Sequence, residues 1–192
     1  MFARFGVVGL FTCFSWLFLG VLVVVVGERE LVGRGVEVVA GLMAVSAKTA
    51  PKAKGVDNIV VKALLDRGEL EKLAEKMEEL AGEYGDFFRR DAENVRNSDG
   101  VIVIGARVVD LGLKTPPDYG VDVNVAMALV NLGIAVGSAV KTASLLNVDN
   151  RIMYSIGVAA KRMGIVDADY VLGIPLSVKG KNIFFDRKWP RK

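Results

Sequence analysis

The chain has 192 residues, a formal net charge of +3 and 52% apolar residues, which suits one well-buried domain rather than a basic nucleic-acid surface. It contains no histidine and a single cysteine, Cys13. A Cys–His protease, a Ser–His–Asp triad and a His- or Cys-ligated zinc site are therefore excluded for this chain alone. Abundant Glu and Lys without any Gln indicate, weakly, a heat-adapted source.

Residues 5–27 form an uncharged, mostly apolar run, FGVVGLFTCFSWLFLGVLVVVVG. About 20 apolar residues are enough to span a bilayer as a helix, and no small-residue cleavage pattern follows the run. The sequence therefore predicts a membrane-anchoring helix over residues 1–27 and one globular domain over residues 28–192 on the cytoplasmic side. Two alternatives stay open: a buried helix, or a translation start near the end of the run, which would make the protein cytoplasmic.

The first half of the domain predicts three helices and two strands. Residues 28–47 become apolar with small side chains and indicate a closely packed helix. Residues 69–84 show the clearest helical periodicity of the chain, with one apolar stripe and one charged face, and residues 87–96 predict a shorter helix. The apolar runs at residues 58–65 and 101–109 predict buried strands.

Residues 123–140 are uncharged and would pass for a second membrane span by length. The run contains Asn131, however, and Gly133 and Gly137 lie one turn apart. Glycines at this spacing let another backbone approach closely, so we predict a buried central helix of a globular core.

The last part of the chain predicts a helix over residues 151–165, capped by Asp149 or Asn150, and a core strand over residues 167–176. The apolar letters IFFD at residues 183–186 predict a further short strand. Helices and strands alternate without strict order, so the expected fold class is α+β, a mixed β-sheet covered by helices.

Two stretches of the chain are nearly the same. The first KTA segment (residues 48–58) is KTAPKAKGVDN, and the second KTA segment (residues 141–150) is KTASLLNVDN. Each follows an apolar run rich in small residues. The simplest interpretation is a helix end followed by a turn or cap, used twice, because Asp and Asn accept bonds from backbone amides and tolerate tight turns.

A functional interpretation uses the cations of these loops. Lys52 and Lys54 lie beside Gly55, Lys179 and Lys181 flank Gly180, and an arginine is suited to phosphate. If the loops converge, they form an anion pocket for a nucleotide or flavin phosphate. The candidate binding residues are Lys52, Lys54, Gly55, Asp57, Asn58, Asp149, Asn150, Arg151, Lys179 and Lys181.

The segments MAVSAKTAPKAKGVDNIV, RRDAENVRNSDGVIVIG and NLGIAVGSAVKTASLLNVDN, with the sequence that follows as far as IFFDR, closely resemble an uncharacterised prokaryotic family described as ferredoxin domain-containing. The resemblance covers about residues 30–188. That family has a cysteine cluster motif between the VIVIG-type strand and the NLGIAVGSA-type helix.

The corresponding stretch here, LGLKTPPDYGVDVNVAMALV, contains no cysteine. Iron–sulfur clusters need thiolate ligands, so the cluster implied by the resemblance does not transfer to this chain. Asp118, Asp122 and Asn124 lie in this stretch, but hard oxygens are poor substitutes for thiolates. The chain resembles a paralogue that has kept the scaffold and lost the cofactor site.

A looser resemblance is to the flavin-dependent nitroreductases, through the helix ending in an Ala-Pro loop, the strand that follows, and the late Gly-Ile-Pro-Leu strand. That resemblance implies FMN as the cofactor, held by Lys52, Lys54 and either Lys181 or Arg187. The stretch GERELVGRG does not match the arginine-rich flavin motif of those enzymes.

Three functions follow as hypotheses. The first is a binding or assembly module without catalysis, tethered by residues 5–27, which pairs with itself or with a cluster-bearing relative and binds no nucleic acid. The second is a flavin- or nucleotide-binding redox protein on a nitroreductase-like scaffold. The third, a hydrolase or transferase with Asp57 or Asp149 as its base, has the least support because no second acid or metal cluster accompanies either residue.

Overall fold

The computed structural model of the chain describes residues 25–185. The predicted anchor over residues 5–27 lies outside the described residues except for its last three positions. The helices are α1 (Glu28–Thr49), α2 (Arg67–Tyr84), α3 (Phe87–Arg96), α4 (Val123–Leu145) and α5 (Tyr154–Arg162), and the strands are β1 (Ile59–Leu64), β2 (Gly100–Ala106), β3 (Asp149–Asn150) and β4 (Tyr170–Ser177).

The strands form one four-stranded sheet in the order β1–β2–β4–β3. This confirms the α+β class, but every neighbouring pair of these strands is antiparallel, so the expectation of mixed strand directions is corrected. The connection between β1 and β2 contains two helices, α2 and α3, whereas a single helix, α5, connects β3 to β4.

Helices cover both faces of the sheet. Because side chains alternate along a strand, Ile102 and Ile104 of β2 face α1 and α4, whereas Val101 and Val103 face α2, α3 and α5. All four side chains are almost fully buried. The sheet is therefore the middle layer of three, with a separate apolar core on each side.

The end of the chain differs from the sequence prediction in two places. Residues 183–185 form a turn rather than a strand: the Asn182 side chain accepts the backbone N–H of Phe184, and the Phe184 ring packs into the core. Asp149 and Asn150 do not cap α5, because their backbones pair with β4 as strand β3. Helix α5 follows Met153 without a side-chain cap.

The order of the elements repeats. Residues 28–106 run helix, strand, two helices, strand, and residues 123–177 run helix, strand, helix, strand. Exchanging β1 with β3 and β2 with β4 gives the same strand order read from the opposite edge, and all the pairs are antiparallel, so the two halves have a two-fold symmetric topology. Each KTA segment leads from the end of the first helix to the edge strand of its half: residues 48–49 end α1, whereas residues 141–145 belong to α4 and residues 149–150 form β3. The repeated sequence therefore reflects a repeated structural position.

Candidate functional site

The first KTA segment uses its lysine to hold its own backbone. The Lys52 Nζ atom donates to the carbonyl oxygens of Ala47, Lys48 and Ala50 at 3.3, 2.6 and 2.9 Å. The Lys52 side chain is only 5% exposed. A lysine in this position satisfies carbonyl groups that the end of a helix leaves without partners, so Lys52 closes the C-terminus of α1.

Lys54 ties the segment to the loop that follows β2. Its Nζ atom donates to the carbonyl oxygen of Leu111 at 2.7 Å. Lys54 and Gly55 both have a left-handed backbone, with φ of 54° and 68°. Glycine adopts this conformation without strain, and the pair makes the tight turn into β1.

Asp57 is held by cations and by its own backbone. Its carboxylate pairs with Lys48, accepts the N–H of Ile59 at 3.2 Å and lies 4.0 Å from Lys52. Partial burial acts to raise the pKa of Asp57, but the hydrogen bonds from Lys48 and Ile59 outweigh it and lower that pKa. The pair therefore adds stability above the ordinary carboxyl pKa and loses it as the pH falls through the lowered value.

Asn58 is buried in a chain of amide hydrogen bonds. Its Nδ2 atom donates to the carbonyl oxygen of Arg107 at 2.6 Å, and its Oδ1 atom accepts from Asn131 Nδ2 at 3.0 Å. Asn131 Oδ1 in turn accepts the N–H of Ala53 at 2.9 Å. The five predicted residues of the first segment are thus brought together, and their contacts lock the loop to α4.

The predicted residues of the second half form another group. Arg151 donates to the carbonyl oxygen of Phe184 at 3.0 Å, and its guanidinium lies over the Phe185 ring, 5.3 Å from the centroid. Lys179 donates to the Asp99 carboxylate at 2.8 and 2.9 Å. Lys181 lies in the same bend as Lys179.

The two groups do not converge on one anion pocket. Strands β1 and β3 are the opposite edges of the sheet. Ile59 pairs with Ala106, which pairs with Tyr170 at one end of β4, whereas Asp149 pairs with Ser177 at the other end. The two segments therefore lie at diagonally opposite corners of the sheet, so within residues 25–185 of one chain they do not meet the condition of convergence on which the anion pocket depended.

The stretch in which the resemblance places the cysteine motif, residues 111–130, consists of the loop before α4 and the first turns of that helix. Asp122 caps the helix by accepting the N–H of Asn124 at 2.8 Å, and Thr115 donates to Asp122 at 2.9 Å. The bond from Thr115 is the main reason that the pKa of Asp122 is lowered. Asn124 accepts the N–H of Leu111 at 3.0 Å, and Asp118 is exposed.

The donors in this part of the chain do not fit an iron–sulfur cluster. Residues 25–185 contain no cysteine or histidine, and among them no group of three His, Cys, Asp or Glu side chains could hold a metal ion. Oxygen atoms of Asp122 and Asn124 already accept backbone N–H groups. An iron–sulfur cluster needs thiolates that this loop does not have.

The outer surface of the α1–α4 layer is the feature that sequence reasoning missed. Of the described helices, α4 is the one long and apolar enough to cross a membrane, and 39% of its most apolar window is buried inside the protein. Its inner side packs as predicted, but its outer side is exposed. The large apolar side chains exposed on this layer are Leu31, Val32, Val38, Leu42 and Val45 of α1, with Leu129, Val130, Ile134 and Leu145 of α4.

Gly133 and Gly137 of α4 are exposed, and Gly133 lines an apolar pocket together with residues of α5 and β4. No atom lies within 4 Å of the position that a Cβ would take at either glycine, so no backbone of the described chain approaches them. The predicted close contact within the core is therefore wrong. The signal was present in the uncharged run 123–140, but a run of this kind does not tell whether the core or a partner covers each side.

Two comparisons by sequence identify relatives. A family model described as an uncharacterised protein containing a ferredoxin domain matches residues 121–187. An uncharacterised protein from Archaeoglobus fulgidus is 43% identical over 182 residues, which cover 86% of this chain and 98% of that protein. The chain belongs to this ferredoxin-domain family. The resemblance seen in the sequence is thereby confirmed, while the family description leaves the activity open.

Comparisons by structure identify the fold as nitroreductase-like. A nitroreductase with bound FMN from Desulfitobacterium hafniense has a TM-score of 0.55 at 20% identity, over 76% of this chain and 79% of that one. NfrA1 from B. megaterium has a TM-score of 0.54 at 14% identity over 81% of this chain. The chain spans 62% of the length of NfrA1. At these identities the likeness concerns the fold alone.

Proposed function

We propose that this member of the ferredoxin-domain family is an assembly module, which pairs through the outer surface of its α1–α4 layer with a second copy of itself or with a cluster-bearing relative. The exposed apolar surface of this layer is the observation that carries the proposal. The tether over residues 5–27, with the domain on the cytoplasmic side, is part of the same proposal and rests on the uncharged sequence of that run.

The surface has the composition expected of an interface. Val38 and Val45 of α1 are 61% and 59% exposed, and Val130 and Ile134 of α4 are 49% and 41% exposed. Contiguous apolar patches of large area are uncommon on proteins that stay monomeric. The open position at Gly133 also leaves room for a helix of another chain to approach.

The polar residues of the first KTA segment argue against a catalytic base there. The Asp57 carboxylate is bonded to Lys48, and Lys52 donates to three carbonyl oxygens. These groups therefore support the structure of the loop, which favours the assembly hypothesis over a hydrolase or transferase.

The assembly proposal predicts that the full chain, purified in mild detergent, forms a dimer in sedimentation-velocity experiments. A double variant, Val130→Glu with Ile134→Glu, is expected to weaken self-association by about 100-fold or more, because pairing would bury unpaired carboxylates. The matched control is Leu113→Glu, since Leu113 is 42% exposed, like Ile134, but lies in the loop before α4.

Three results decide the matter. A dimer that survives the double variant would move the interface elsewhere. A monomer that binds the cluster-bearing relative through Val130 and Ile134 would keep the surface and change the partner. A wild-type chain that is monomeric with and without that relative would refute the proposal.

A second candidate function is flavin binding, favoured by the likeness to the FMN-containing nitroreductase fold. The lysines that the resemblance implies do not fit a phosphate well. Lys52 is buried and donates to three carbonyl oxygens, and Lys54 is held by the Leu111 carbonyl. Arg187 lies outside the described residues. FMN would supply redox chemistry if it bound. The hydrogen bonds of these two lysines, however, go to backbone carbonyl oxygens that hold the loop.

The two candidate functions predict different visible absorbance of the purified protein. If the assembly proposal is correct, protein isolated under gentle conditions shows no flavin absorbance, and added FMN leaves its visible spectrum unchanged. A yellow preparation whose flavin is released by denaturation would instead establish the second candidate. Lys54→Met serves as the matched variant in that case, because it would lower flavin content only if Lys54 holds the phosphate.

A further inference from the structure

The two KTA segments lie at equivalent places but are closed in different ways. In the first, Lys52 bonds the last carbonyls of α1, Lys48 pairs with Asp57, and Asn131 bridges the loop to α4. The ammonium groups of Lys48 and Lys52 thus occupy the space between the helix end and the aspartate that leads into the edge strand.

The second segment keeps the aspartate and lacks the ammonium groups. Aligned on Val-Asp-Asn and Lys-Thr-Ala, it has no lysine at the place of Lys52, where Ser144 and Leu145 stand. Lys141 corresponds to Lys48, but within residues 25–185 it forms no ion pair with Asp149. The last-turn carbonyl oxygens of α4 accept backbone N–H groups of residues 146–148, where those of α1 accept a lysine.

An open polar cavity takes the place of these missing groups. It has a volume of about 420 Å³. Its lining includes Ser144, Asn147, Asp149, Asn150, Asn182 and Phe185. The lining offers a carboxylate, amide oxygens and a hydroxyl, which accept hydrogen bonds, and a phenylalanine ring, whose face attracts cations.

We infer that this cavity binds a primary ammonium group. The ammonium would take the place that lysine side chains fill in the first half, donating to Asp149 and to neighbouring oxygens at the C-terminal end of α4, where the helix dipole is negative. The Phe185 ring already lies beside one cation, the guanidinium of Arg151. Arg151 is held by the Phe184 carbonyl and leaves the Asp149 carboxylate to the ligand. This site is independent of the α1–α4 surface.

The test is a titration of the full chain with propylammonium chloride at constant ionic strength, followed by ¹⁵N–¹H NMR. Saturable shifts are expected at the amides of Asn147, Asp149 and Asn150. Asp149→Asn, which keeps the size of the side chain, is expected to weaken binding at least about tenfold. The matched control is Asp57→Asn, since the equivalent aspartate of the first half is already paired and its loss leaves the affinity unchanged.

Two further experiments distinguish a specific ammonium site from general attraction between charges. Tetramethylammonium carries the same charge but cannot donate a hydrogen bond, so it is expected not to compete. Ser144→Lys places an ammonium in the cavity from the chain itself and is expected to abolish propylammonium binding. Absence of shifts, equal affinity in Asp149→Asn, or full competition by tetramethylammonium would each overturn the inference.

The source of the ammonium is resolved by two probes. Spermidine that binds more tightly than propylammonium would assign the cavity to free polyamines. Nα-acetyl-lysine methylamide that binds as tightly as propylammonium, with no gain for spermidine, would assign it to a lysine side chain of a protein partner. Failure of both probes would refute the site.

Discussion

Replacing Gly157 with alanine is expected to destabilise the domain by about 3 kcal/mol or more. A Cβ at Gly157 would stand 2.0 Å from the carbonyl oxygen of Val171 and 2.6 Å from its carbon. The strand cannot move aside easily, because β4 pairs with β2 along its length on the other side. Urea unfolding followed by far-UV circular dichroism measures the loss.

Gly133→Ala is the matched control for this change. Gly133 is also a helical glycine, but no atom lies within 4 Å of its Cβ position. Alanine there is expected to leave stability unchanged or to raise it by up to about 1 kcal/mol, because glycine is a poor helix former. Equal effects of the two substitutions would show that α5 does not press against β4 as described.

Asn131→Ala is expected to cost about 2–3 kcal/mol, because it removes two hydrogen bonds and leaves the buried amide of Asn58 without one of its partners. Asn131 and Asn58 are 2% and 4% exposed, so water cannot readily replace the lost contacts. The effect is measured by urea unfolding, with native-state hydrogen exchange at Ala53 as a local readout, since the Ala53 amide donates to Asn131.

Ser138→Ala serves as the control for Asn131→Ala. Ser138 lies on the same helix and is only partly buried, and its exchange for alanine is expected to change stability by a few tenths of a kcal/mol. If Asn131→Ala costs no more than this control and the Ala53 amide keeps its protection, the amide network does not hold the first KTA segment against α4.

The sequence predicted local structure well where a pattern has one physical cause. Residues 69–84 alternate apolar and charged side chains with helical spacing, and α2 buries Leu70, Leu73 and Met77 on that stripe. The run VIVIG became the fully buried strand β2. In both cases the chain itself carries the information about which side faces the core.

Spatial relations between distant segments could not be read in the same way. Nothing near Lys52 or Arg151 indicates that β1 and β3 lie at opposite edges of the sheet, because strand order and register are set by packing of the whole chain. The partners of Lys52 also escaped prediction. A lysine that follows a helix end can donate its hydrogen bonds either to a ligand or to the last carbonyl oxygens of the helix, and the sequence is the same in both cases.

The exposed side of α4 escaped prediction for a related reason. The sequence of an uncharged helix shows that neither of its sides carries charge, but it does not show whether the core of the same chain or a partner covers each side. Ala135 and Ala139 are buried against the rest of the domain, whereas Leu129 and Val130 on the same helix are exposed.

The division of the chain into two similar halves bears on how this family can diversify. Residues 107–122 carry the polypeptide from one half to the other and contribute neither a helix nor a strand. The resemblance places the cysteine motif of other family members in a stretch, residues 111–130, that begins in this connector and continues into α4. An electron-carrying centre could therefore be gained or lost through changes in the connector and the first turns of α4, while the paired halves go on folding around their shared sheet.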